Sequence, residues 1–167
     1  MQTKSRAGII AIIGAVAGLT FAAGGAGTAQ AAATATCTWG GTPAAPTGVF
    51  TVSSPLTNVP SAAPIDFTAV GKLSGECTGR MTFFGTLDPG ATCSDGTFAG
   101  TVKGLPGVVR FEGFDSAGIA PSRLYDKDGT IVGSENAQLL TLDNAPFSEC
   151  GAEGFTQGTF SSVIELF

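Results

Sequence analysis

Histidine is missing from all 167 residues of the sequence, and this absence excludes several kinds of active site. Ser-His-Asp and Cys-His catalysis both use an imidazole as the general base. Acid–base catalysis would therefore need a pair of carboxylates, for which Glu112, Glu135 and Glu165 on predicted strands are the candidates. The alternation of side chains makes Glu112 an outward-facing charge instead of a member of such a pair. We therefore expect a non-enzymatic protein.

Charged residues are also scarce, at 13% of the chain, and the 8 basic residues are outnumbered by 13 acidic ones. Lys and Arg form no cluster that would offset this acidic balance. Because an acidic surface repels phosphate backbones, we expect no nucleic-acid partner. The glycine-containing turn at residues 104–107 is not followed by a helical pattern, so it does not predict a phosphate loop. We expect no cofactor.

The first 31 residues have the three parts of a signal peptide. Lys4 and Arg6 form the basic part, residues 7–26 are apolar and small, and the tripeptide A-Q-A ends at Ala31. The alternative is a single membrane-spanning helix, because the apolar run is close to the ~20 residues that cross a bilayer. We predict cleavage after Ala31 and a secreted, extracellular monomer without a membrane anchor. Its six basic and 13 acidic residues give it a formal net charge of −7.

Four cysteines allow three disulfide pairings, and the strand pattern favours one of them. An extended segment over residues 78–87 spans roughly 30 Å at about 3.3 Å per residue, which separates Cys77 from Cys93. Strand directions in a meander bring Cys37 to Cys77 and Cys93 to Cys150, and we predict these two disulfides. A zinc site is not expected, because the sequence has neither a Cys-x-x-Cys pair nor a histidine.

Alternating apolar and polar residues predict an all-β protein. After a Pro/Ala/Thr-rich arm at residues 32–47, a single antiparallel domain covers residues 48–167. The sequence after the signal peptide shows no amphipathic helical period. About eight strands with short connections indicate an up-and-down β-barrel or a β-sandwich. The predicted strands are residues 48–54, 65–73, 78–87, 97–103, 108–114, 122–126, 130–140 and 157–166.

The turn from Asp126 to Gly129 resembles the first part of a calcium-binding loop. The twelfth position of such a loop holds a bidentate glutamate, and Ala137 stands there instead. Asp-Gly is also a strong signal for a tight hairpin. We interpret this segment as a hairpin turn and predict no metal site.

Polar residues on the predicted strand 130–140 give the best indication of a binding site. Ser134, Asn136 and Gln138 share one face, and if they point into a barrel they would supply the few polar groups of a small-ligand cavity. The alternative is that these three face solvent and that the opposite face points inward. That opposite face includes Ile131, Ala137 and Leu139.

Four segments of the sequence resemble a group of small secreted actinomycete proteins of unknown function: CTWGGTP, TVKGLPGVVRF, YDKDGTIVGSENAQ and GTFSSVIELF. The resemblance spans nearly all of the predicted mature chain and implies no activity. We expect a non-enzymatic domain that binds a small apolar ligand through Ser134, Asn136 and Gln138. The alternative is a factor that binds an extracellular protein, such as a protease inhibitor or a surface-associated protein. That alternative predicts a filled core and a rigid loop at residues 88–95, braced by Cys93.

Overall fold

A computed structural model describes residues 33–142, 147, 150 and 153–167. The described residues contain strands and no helix. The predicted signal peptide lies outside the described residues. The strands are β1 (Ala35–Trp39), β2 (Gly41–Thr42), β3 (Ala45–Pro46), β4 (Gly48–Leu56), β5 (Ile65–Gly75), β6 (Gly79–Leu87), β7 (Asp95–Lys103), β8 (Arg110–Ser116), β9 (Ile119–Tyr125), β10 (Ile131–Thr141) and β11 (Phe155–Leu166).

Strands β4 to β11 form a closed, antiparallel barrel of eight strands. Each of these strands pairs with the next one in the chain, and β11 pairs with β4 to close the cylinder. The fold prediction is therefore confirmed, and the barrel is the correct choice between its two architectures. Closure pairs the edges that a sandwich would leave open.

The segment before the barrel differs from the arm expected at residues 32–47. Strand β1 pairs with β11 from Ala35 to Trp39 and also with the second half of β5. Strand β4 pairs with the first half of β5, so β1 and β4 together fill one position of the barrel. The short hairpin β2–β3 connects them. Trp39, 1% exposed, and the fully buried Cys37 explain why this segment packs into the barrel instead of remaining free.

Aromatic rings fill the middle of the barrel. The Phe83 and Phe111 rings are stacked with their centroids 4.0 Å apart, and the Trp39 ring lies 4.6 Å from Phe83. The indole Nε1 of Trp39 donates a hydrogen bond to the Met81 carbonyl at 3.2 Å, which satisfies the polar atom of this buried ring. Gly85 leaves room for the cluster, because a Cβ there would lie 2.5 Å from the Phe67 ring.

The two disulfides have the predicted pairing, Cys37 with Cys77 and Cys93 with Cys150. Cys37 lies in β1 and Cys77 in the β5–β6 turn, whereas Cys93 lies in the β6–β7 loop at the other end of the barrel. In that loop Ala91 and Cys93 are buried against the barrel, and the Cys93 amide donates to the Thr57 carbonyl at 3.0 Å. Disulfides form and persist in an oxidising compartment, so the pairing indicates an extracellular environment.

Within the part of the chain that the structure describes, no helix is long and apolar enough to cross a membrane.

Candidate functional site

The interior of the barrel contains a cavity of about 70 Å³. Its lining is almost entirely apolar, with Phe50, Phe98 and Phe147 among its walls. Typical small-molecule sites measure about 300–1,000 Å³, and an engineered apolar cavity that binds benzene measures about 150 Å³. The interior therefore has room only for a molecule smaller than benzene.

Two buried carboxyl groups, Glu135 on β10 and Asp115 on β8, also line this cavity. Glu135 is 4% exposed and accepts a hydrogen bond from the Ser122 hydroxyl on β9 at 2.6 Å. The Ser162 hydroxyl on β11 donates a second, short hydrogen bond to its other oxygen. Burial raises the pKa of Glu135 from 4.5 to about 7, and the two serine hydrogen bonds limit the increase.

Asp115 lies near the end of β8, next to the turn that joins β8 to β9. Its Oδ1 accepts a hydrogen bond from the Gly118 amide at 3.2 Å. Burial raises the pKa of Asp115 from 3.8 to about 6, and the negative charge of Asp95 adds to this increase. Both interior carboxyl groups therefore hold their protons more tightly than exposed carboxyl groups do.

Ser134, Asn136 and Gln138 do not line this interior. Glu135 and Ala137 are buried, whereas Asn136 is exposed and Ser134 and Gln138 are half-buried on the outer face. The hypothesis that the three polar residues point into the barrel is thus wrong in orientation, and the alternative is right for Ala137 and Leu139, which line the cavity.

The alternative also expected Ile131 to point inward, and this is wrong because Ile131 is 44% exposed. The pairing of β10 with β9 shifts between Ile131 and Gly133, and such a bulge reverses the phase of the alternation. Ile131 and Ala137 therefore lie on opposite sides of the barrel wall although both have odd numbers.

Outside the barrel, strands β7 to β11 form an open groove of about 990 Å³, here called the outer groove. The strand register places its side chains in two rows that cross the strands. The charged row consists of Glu112, Arg123, Ser134 and Glu165, each opposite the next on neighbouring strands. The second row, here called the apolar row, consists of Phe114, Pro121 and Val163, with Asn136 between Pro121 and Val163.

Apolar side chains are accessible in the outer groove. Phe114 is 50% exposed and Val163 is 43% exposed. Ala99 on β7, opposite Glu112, has a small outward-facing side chain that leaves space between these larger groups. Ser134 and Asn136 thus line a site of typical ligand size, although it lies on the outer face and not inside the barrel.

Glu112 is held in place by two neighbours. Tyr125 donates its hydroxyl hydrogen to Oε1 of Glu112 in a short hydrogen bond, and Arg110 Nη1 lies 3.2 Å from Oε2. The Arg110 guanidinium in turn lies 4.0 Å from the centre of the Tyr125 ring. Arg123 differs, because the ion pairs among the described residues are Arg110–Glu112 and Lys127–Asp128, neither of which includes it. Among the described residues, the groove therefore contains a carboxylate held by two neighbours, Glu112, and a guanidinium without an ion-pair partner, Arg123, which can bind a ligand.

Gln138 lies beside the outer groove, in a second depression of about 270 Å³ next to the β2–β3 hairpin. Asn136 and Val163 line both depressions, so the two adjoin. All three polar residues predicted from the sequence are therefore found along one continuous stretch of outer surface.

The three glutamates considered as a catalytic pair do not face one another. Glu135 points into the barrel, and Glu112 and Glu165 belong to the charged row outside it. Asp126, in the segment that resembles a calcium loop, accepts hydrogen bonds from the amides of Asp128 and Thr130, both at 2.9 Å. These bonds belong to a hairpin turn, and no cluster of three potential metal ligands occurs among the described residues.

Comparison with known proteins gives no relative from which to assign this site. No family model, curated protein or solved structure matches the chain. The candidate residues therefore depend on geometry alone.

Phe114 and Arg123 in the groove, and Ser122 and Ser162 beside Glu135, were not identified from the sequence. The pairing register of the strands would have indicated these residues. Side chains on different strands can be recognised as neighbours only when it is known which residues lie opposite each other.

Proposed function

We propose that this protein is a secreted, non-enzymatic binding domain whose ligand occupies the outer groove. The observation that carries the proposal is the contrast in size between the interior, at about 70 Å³, and the groove, at about 990 Å³. Only the second lies within the usual range of ligand sites, about 300–1,000 Å³. A small apolar ligand inside the barrel remains a prediction, limited to molecules smaller than benzene.

The composition of the groove supports binding. Exposed Phe114 offers a flat apolar surface, and Arg123, Ser134 and Asn136 offer hydrogen-bonding groups beside it. These groups project from paired strands of a closed barrel, so little conformational freedom is lost when a ligand binds. The absence of histidine from the whole sequence supports a role without acid–base catalysis by imidazole.

The experiment that tests this proposal compares two matched variants. A mixed library of small molecules, short saccharides and short peptides is screened against the protein by saturation-transfer NMR. The groove variant is Phe114→Ala with Asn136→Ala, and the control is Phe84→Ala, which removes another exposed phenylalanine, 42% exposed, from the outer face of β6. Phe84 does not line the outer groove.

We expect ligands of the unmodified protein to lose their signal with the groove variant and to keep it with the control. Ligands that bind both variants equally well would contradict the proposed site. All three substitutions are at exposed positions, so both variants should keep the wild-type spectrum outside the altered residues.

A further inference from the structure

We propose that the ligand of the outer groove is a linear oligosaccharide of neutral or amino sugars. This inference rests on the proposed function and adds the chemical class of the ligand. It is argued from the length of the groove, from its hydrogen-bonding groups, from its apolar row and from its charge.

The groove is long and crosses the strands. Its lining reaches from Thr97 on β7 to Glu165 on β11, which is four strand spacings. At about 4.8 Å per spacing, the lining extends over roughly 19 Å and the two rows, which run from β8 to β11, extend over roughly 14 Å. A site of this length suits a chain of several sugar rings better than a single small molecule.

The charged row offers hydrogen-bond acceptors and donors in alternation. Glu112 and Glu165 accept, Arg123 donates, and Ser134 does both. A sugar hydroxyl also donates and accepts. Successive hydroxyls of a sugar chain can therefore donate to the carboxylates of the charged row and accept from Arg123. Because Tyr125 and Arg110 already hold Glu112, its carboxylate is positioned before a ligand arrives.

The apolar row is complementary to the C–H groups on the faces of a sugar ring. Phe114 is half exposed, with Pro121 and Val163 in the same row. The face of an aromatic ring is negative and attracts the positive edge of C–H groups. A pyranose carries such C–H groups on its ring faces and hydroxyls at its rim, and the groove places an apolar row beside a charged row in the same way.

Charge and strand pairing disfavour other polymers. Asp88, Glu112 and Glu165 are acidic groups of the groove and Arg123 is its basic one, which disfavours polyanions such as uronic-acid chains. Extended peptides commonly bind by adding a strand to a free sheet edge, and β4 to β11 are paired into a closed cylinder. A peptide would therefore have to bind through its side chains alone.

The test maps amide chemical shifts of the ¹⁵N-labelled protein with four probes. These are the tetramers of N-acetylglucosamine, glucosamine and galacturonate, and a lysine-rich octapeptide. We expect the first two tetramers to shift amides of the groove strands and the galacturonate tetramer to leave them unchanged. Phe114→Ala should weaken saccharide binding by up to about tenfold, whereas the control Phe84→Ala should not change it.

Arg123→Ala separates a neutral saccharide from a basic peptide, because it has opposite effects on the two. Loss of a charged donor should weaken binding of the uncharged N-acetylglucosamine tetramer by about tenfold or more. Loss of a positive charge should strengthen binding of the lysine-rich peptide.

Groove shifts with the peptide alone, strengthened by Arg123→Ala, would overturn the saccharide inference and leave the groove as the binding site. If saccharides bind but shift only amides elsewhere, both the saccharide inference and the proposed function are wrong. If neither saccharide that we expect to bind produces any shift, the saccharide inference is wrong, and the library screen then decides the proposed function separately.

Discussion

Replacement of Glu135 by glutamine should change the dependence of stability on pH. Glutamine has nearly the same shape as a protonated glutamic acid, and its amide can donate to one serine hydroxyl and accept from the other. The hydrogen bonds with Ser122 and Ser162 can therefore be kept. What the variant loses is the ability to become a buried negative charge.

The size of the effect follows from the pKa of Glu135, which is raised from 4.5 to about 7 on folding. The folded protein therefore binds more protons than the unfolded chain between these two values. Stability from this group is complete below about pH 4.5 and is lost as the pH rises to 7. With 1.36 kcal/mol for each pKa unit, the total loss is about 3 kcal/mol. Glu135→Gln should be more stable than the unmodified protein by about this amount at pH 8, and equally stable at pH 4.

Urea unfolding followed by tryptophan fluorescence measures this difference. Trp39 is the one tryptophan in the sequence and is 1% exposed, so its emission reports the opening of the barrel. Curves are recorded at intervals from pH 4 to pH 8 for the unmodified protein, for Glu135→Gln and for the control Glu165→Gln, an exposed position. All three proteins should also lose about 3 kcal/mol of unfolding free energy as the pH rises from 3.8 to about 6. This loss comes from Asp115, whose pKa is also raised on folding.

A difference between Glu135→Gln and the unmodified protein that is the same at every pH would refute the reasoning. In that case Glu135 would have an ordinary pKa in the folded protein. Any change seen in the control would have to be subtracted before the comparison.

Two further predictions concern the packing of the barrel. Replacing Cys93 and Cys150 together by serine removes a disulfide between residues 57 positions apart. This should lower the free energy of unfolding, measured by urea unfolding, by about 4 kcal/mol. An unchanged urea midpoint would contradict this. Gly85→Ala places a Cβ 2.5 Å from the Phe67 ring, so it should destabilise the barrel by about 1–3 kcal/mol, whereas a neutral or stabilising result in the same assay would show that the cluster has room.

The strands of the barrel could be predicted because their sequences alternate and their turns are short. The same strand directions gave both disulfides, since a chain that reverses at each turn alternates between two ends. Strand β1 was missed because it is only five residues long and lies in a segment rich in Ala, Thr and Pro. Its pairing with β11 and β5 depends on residues far away in the sequence, which local alternation does not report.

The orientation of β10 could not be decided from its own sequence. Polar residues occur on both faces, with Ser134 and Asn136 on one and Glu135 on the other. The inward carboxyl is tolerated because Ser122 and Ser162 from the two neighbouring strands hydrogen-bond to it, and these partners become visible only in the folded barrel. The outer groove was missed for a similar reason, because each strand contributes only two or three residues to its lining.

The shared position of β1 and β4 has a consequence for the order in which the chain folds. The first and last strands of the described chain pair with each other, and the Thr34 amide donates to the Leu166 carbonyl at 2.6 Å. A chain made from its N-terminus must therefore wait for Phe155–Leu166 before the cylinder can close. Such long-range pairing slows folding. Until β11 has been made, β1 and β4 lack a partner on the side that β11 will occupy. A truncation of the last strand should leave these edges open to self-association, so the final residues protect the protein from aggregation as well as completing its fold.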